Sequence, residues 1–95
     1  MEQEGIDSLA EVLSKIQDKD LIREFLYQIH TPAESRDLSL RWELVRLLDE
    51  GVSQRDISSR LGISLCKITR GSKELKKTHS AIKDVLVLYQ GQDGS

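Results

Sequence analysis

Between Ser53 and Lys76 the chain carries two capped helix starts with one glycine between them. Ser53-Gln54-Arg55-Asp56 reads as an N-cap followed by a helix over Gln54 to Leu61, and Ser64 caps a second helix from about Leu65 to Lys76. Gly62 lies between them, and glycine adopts the positive φ that a tight turn between steeply crossing helices requires. Ser58 is the small residue where those helices approach. Ile57, Leu61, Ile63 and Ile68 fall where such a unit buries apolar side chains. A helix-turn-helix uses all of these positions together.

In a helix-turn-helix the second helix enters the major groove by its N-terminal residues, while the first crosses the backbone. That rule offers Leu65, Cys66, Thr69 and Lys73 to base edges, and Gln54, Arg55, Lys67, Arg70 and Ser72 to phosphates. Ser58 completes the candidate DNA-binding set. The charge is divided accordingly. The net charge is −2, yet Ser53 to Lys77 alone carries +5, leaving −7 on the remainder. Basic charge gathered on one segment binds phosphates locally, while an acidic remainder limits indiscriminate attraction. The competing reading is a solvated basic helix in a protein-interaction module.

The other segments are helical as well, and no strand-like alternation persists beyond a few positions. A first helix is expected from Ile6 or Asp7, with Leu9, Val12, Leu13 and Ile16 on one face. A second is expected from about Asp20 to Ile29, striped by Leu21, Ile22, Phe25, Leu26 and Ile29. Thr31-Pro32-Ala33-Glu34 combines an N-cap, a first-turn proline and a capping-box glutamate, so a third helix runs from there to about Glu50 and stops at Gly51. A last amphipathic helix spans about Ser80 to Tyr89, and 91–95 reads as a flexible polar tail. The expectation is one all-α domain over 1–95, with core helices at about 6–50 and 80–89 and the helix-turn-helix at about 54–76. With 95 residues, 38% of them hydrophobic and 4% aromatic, a lone subunit has a thin core, which points to stability shared with a partner subunit.

Several functions are disfavoured. A single cysteine forms no intramolecular disulfide, and the opening Met-Glu-Gln-Glu is acidic where a signal peptide is basic, so a cytoplasmic location is expected. No apolar run approaches the roughly 20 residues of a membrane span. His30 and His79 lack Cys or carboxylate partners at metal-ligand spacing, so no metal site is expected. No nucleophile–base set or phosphate-cradling loop can be placed, and the chain does not read as an enzyme. Cys66 beside Lys67 reads as a small apolar residue facing a thymine methyl or the core, with a redox sensor as the sharper alternative.

Gln54-Arg55-Asp56, the run Ile68-Thr69-Arg70-Gly71-Ser72 followed by Leu75-Lys76, and the Thr31-Pro32 start resemble the Trp repressor family over roughly Thr31 to Lys76. The resemblance implies a six-helix fold, an intertwined homodimer and double-stranded operator DNA as partner. It implies a repressor of tryptophan biosynthesis or transport genes, with L-tryptophan as corepressor and no other cofactor. Arg70 then matches the arginine that pairs with the ligand carboxylate, with Gly71 keeping the backbone open beside it. Arg41 matches the arginine covering the other face of the indole. Thr31 falls at the pocket edge and Val45 at an apolar pocket position, and the backbone of Gln28 and His30 accepts from the ligand ammonium. Four positions and one linker depart from the family pattern: His30 and Gln28 stand where leucines often line the cleft, and the Gly51-Val52-Ser53-Gln54 linker is one residue shorter. Lys67 replaces a small or uncharged residue near the pocket, and Glu74 replaces a small one, where it pairs with a ligand ammonium or with Arg70. These departures support a second reading, a similar DNA-binding regulator that responds to another effector or to none.

Overall fold

The computed structural model describes residues 1–77 and 79–94. Six helices make up these residues, with no strand among them: α1 Glu2–Ser14, α2 Lys19–Ile29, α3 Pro32–Asp49, α4 Gln54–Leu61, α5 Leu65–Leu75 and α6 Ala81–Gly94. The all-α, six-helix expectation holds. The contacts divide the chain into two compact units, Met1–Arg36 and the residues from Asp37 onward.

In the first unit, α1 begins earlier than the sequence reading placed it. Glu2 and Glu4 occupy its first turn, where a carboxylate is favourable against the exposed N–H groups. Asp18 caps α2 by accepting from the backbone N–H of Asp20 at 3.0 Å. The start of α3 is a reciprocal capping box. Thr31 Oγ1 accepts from the Glu34 N–H at 3.2 Å, and the Glu34 carboxylate accepts from the Thr31 N–H at 2.8 Å. Those bonds to Thr31 hold the Glu34 carboxyl below its ordinary range. Neither α1 nor α2 has a buried residue. Val12, Leu21 and Ile29, expected in apolar stripes, are exposed along with Ile6 and Tyr27.

The second unit holds the core. Leu44, Ile57 and Ile68, one each from α3, α4 and α5, are buried together and ringed by Leu47, Leu48, Val52, Leu61 and Ile63. α3 ends in a Schellman motif at Gly51, with the Val52 N–H donating to the Leu47 carbonyl and the Gly51 N–H to the Leu48 carbonyl. This delivers Val52 to the core. Ser80 caps α6 by accepting from the Lys83 N–H at 3.1 Å. The helix then continues through Gly91 and Gln92 to Gly94, which corrects the expected tail, while Ser95 lies outside the described residues. Once nucleated, a helix gains one hydrogen bond per added residue, and polar residues do not stop it.

Polar and aromatic contacts join the end of α3 to α6. Lys83 and Gln90 both reach the Asp49 carboxylate, and Lys83 holds that carboxyl below its ordinary range. Arg46 pairs with Glu43 at 2.8 Å and donates to the Tyr89 hydroxyl at 3.1 Å. Trp42 meets the Tyr89 ring edge-on, with ring centroids 5.7 Å apart.

Candidate nucleic-acid interface and ligand cleft

The turn between α4 and α5 is built from local hydrogen bonds. Ser53 Oγ accepts from the Asp56 N–H and Ser64 Oγ from the Lys67 N–H, so both helices carry the serine caps read from the sequence. Gly62 has φ 65° and donates its N–H to the Ser58 carbonyl at 2.9 Å. Across the same turn the Ser58 hydroxyl donates to the Ile63 carbonyl at 2.7 Å. That bond makes the half-buried Ser58 a staple across the turn, while its hydroxyl oxygen keeps lone pairs for other partners. Ile57 and Ile68, each with 0% exposure, lock the two helices together beneath it.

Outside this core the helix surface is open. Gln54 and Arg55 on α4, and Leu65, Cys66, Lys67, Thr69, Arg70 and Lys73 on α5, are all exposed, and Ser72 is half-buried. The Thr69 hydroxyl donates back to the Leu65 carbonyl at 2.9 Å, which orients it and leaves its lone pairs available. The residues read as DNA-facing therefore all sit on the two helices flanking the turn.

Behind α5 a cleft of about 340 Å³ opens toward α3. Arg41, Val45, Arg70, Gly71 and Glu74 line it, five of the eight residues read as effector-binding, and Lys67 lines it too. Leu40, Leu44, Val45, Ile63 and Ile82 give it an apolar surface, and Asp37 adds a second carboxylate. Its volume lies at the lower end of the range for small-molecule sites. Sequence reasoning missed Asp37, Leu40 and Leu44. Asp37 and Leu44 lie four and three residues from Arg41, and Leu40 lies three and four residues from those two, and this spacing was the available signal because helix positions three and four apart share a face.

Two of the cleft-lining residues make contacts that the sequence did not specify. Gly71 does more than leave room for a ligand: a Cβ there would stand 3.2 Å from Leu44 Cδ2, so the missing side chain permits close packing of α5 on α3. Glu74 is bonded to Lys77 at 2.8 Å rather than to Arg70. The remaining three effector candidates belong to the first unit. Thr31 caps α3, Gln28 is exposed on α2, and His30 Nδ1 lies 2.6 Å from the Leu26 carbonyl. No group of metal-ligating side chains occurs among the described residues, and no helix there is long and apolar enough to cross a membrane.

The model of the Trp repressor protein family matches residues 4–89. The chain belongs to the Trp repressor family. Its members are transcriptional regulators rather than enzymes, and membership makes this chain a transcriptional repressor by class. The match extends well beyond the stretch from Thr31 to Lys76 that carried the resemblance. Among curated Trp repressor relatives, the Trp operon repressor homolog of Vibrio parahaemolyticus is 37% identical over 88% of this chain and 82% of its own length. That of Xylella fastidiosa is 35% identical over 88% of this chain and 90% of its own. That of Chlamydia trachomatis serovar L2 is 30% identical over 90% of this chain and 92% of its own. No solved structure gave a significant match.

Proposed function

We propose that this chain represses transcription as a cytoplasmic homodimer whose α5 helices read operator DNA, with L-tryptophan as corepressor and tryptophan biosynthesis or transport genes as targets. The observation that carries the reading is the cleft directly behind α5. It gathers Arg41 and Arg70, two planar cations able to pair with a carboxylate or cover an aromatic ring, around an apolar surface on the helix that presents the basic face. A ligand held there biases the orientation of α5, and its effect equals its difference in affinity for the two orientations. Linkage then requires DNA to tighten ligand binding by the same factor. The dimer is supported by the first unit, whose helices bury no residue and leave Leu21, Tyr27 and Ile29 in solvent. A two-fold dimer of this kind reads half-sites about 34 Å apart or a multiple of that.

Calorimetric titration with L-tryptophan and with a second amino acid tests the corepressor. Saturable binding near one tryptophan per subunit, without binding of the other amino acid, is the expected outcome. No heat at millimolar ligand at two temperatures would instead favour a repressor with another effector or none, the reading that Lys67 and Glu74 support.

A further inference from the structure

Three cations line the cleft, Arg41 on α3 with Lys67 and Arg70 on α5. Against them stand two carboxylates, Asp37 and Glu74, and Glu74 is paired with Lys77 at 2.8 Å. Among the described residues no ion pair joins Arg41, Lys67, Arg70 or Asp37 to another side chain. The lining therefore sets three unpaired cations against one unpaired carboxylate, around an apolar surface. Charge complementarity across a site decides which ligand it prefers. A zwitterionic amino acid has no net charge and leaves the positive excess standing. A ligand with one further acidic group meets it.

The place of that further group follows from α5. Lys67 and Arg70 are three residues apart, so they share a helix face and lie about 4.5 Å apart along the axis. With the α-carboxylate of an amino acid on Arg70, and Arg41 over the aromatic ring, the cation left over is Lys67. Ile63 also lines the cleft and lies in the turn ahead of α5, so the apolar surface extends past Lys67. A ring laid along that surface brings its far edge beside the lysine, whose flexible four-carbon stem lets the ammonium meet a substituent there.

We propose that Lys67 makes the cleft prefer an aromatic amino acid that bears a second acidic group on its ring over the neutral zwitterion. The inference rests on the reading of the cleft as an amino-acid site. It gives Lys67, read from the sequence as a phosphate contact, the part of a specificity-determining residue for the ligand.

The test titrates the protein calorimetrically with L-tryptophan and with tryptophans that carry a carboxylate or a nitro group at ring position 5 or 6. Carboxylate and nitro groups are nearly isosteric, so a difference between them reports charge rather than fit. Wild type is expected to bind at least one carboxylate ligand about three- to fivefold more tightly than its nitro counterpart, the size of one exposed charge match. Lys67→Gln should abolish that difference, and glutamine keeps the helical propensity of lysine, so the variant folds. Lys76→Gln, which removes a cation just past the end of α5 and outside the cleft lining, should preserve it. Equal affinity for both members of each isosteric pair in wild type, a preference that survives Lys67→Gln, or a preference lost equally in Lys76→Gln would each overturn the role of Lys67. Exclusion of all four substituted ligands while tryptophan binds would overturn it as well, and in each of these cases the tryptophan reading stands. Failure of wild type to bind any of the five ligands overturns the amino-acid reading of the cleft, and this inference with it.

Discussion

Single side chains set the turn that carries the interface. Ile57 is fully enclosed between α4 and α5, and truncation to alanine removes its contacts and leaves a cavity. Ile57→Ala should cost about 2–5 kcal/mol in denaturant unfolding. Gly62 sits at φ 65°, where any Cβ is crowded by the backbone, so Gly62→Ala should cost about 1–2 kcal/mol. Asp49 makes the molecule acid-sensitive. Its carboxyl lies below the ordinary aspartate range because Lys83 and then Gln90 bond the ionised form. A depressed carboxylate contributes stability that is fully present above its unfolded value near 4 and is lost as pH falls through the folded value. Unfolding followed between pH 5 and 2 should therefore show a decline that Asp49→Asn flattens.

At the scale of helices, serine caps decide where the reading surface begins. Ser64 accepts from the Lys67 N–H at the first turn of α5. Ser64→Ala should cost about 1 kcal/mol and fray the turn that carries Leu65 and Cys66, weakening DNA binding in a fluorescence anisotropy titration beyond what a surface change elsewhere produces. Caps were legible in the sequence because their signals act over three residues. The Thr31–Glu34 box, Ser53, Ser64 and the glycines after α3 and α4 all lie where local chemistry placed them. The ends of α1 and α6 were not legible, since acidic or polar residues neither require nor forbid another helical turn. The partner of Glu74 was hidden for a different reason. Arg70 lies four residues before Glu74 on α5 and Lys77 three residues after it, past the helix end, and the choice between such exposed pairs turns on a fraction of a kcal/mol. Ser58 was correctly read as the small residue of the turn, but its bond to Ile63 depends on the turn's tertiary geometry.

For the molecule as a whole, the first unit's lack of buried residues makes a stable isolated subunit hard to sustain. The melting temperature should rise with protein concentration, the mass-action signature of folding coupled to association; a concentration-independent value in the micromolar range would count against the homodimer. Six-helix order and family membership were both readable, because the motif residues from Gln54 to Ser72 are contiguous and the helical periods regular. The division at Arg36 was not, since it falls inside the continuous helix α3. Gly71 bears on how such a regulator diverges. With Leu44 already 3.2 Å from where its Cβ would be, this wall of the cleft is closed to even one methyl group unless Leu44 shifts. A lineage acquiring a new signal molecule is thereby steered to vary residues whose side chains edge the opening, such as 67 and 74, while the glycine stays fixed. Lys67 and Glu74 line the same cleft with side chains at its opening, where the packing leaves room for change.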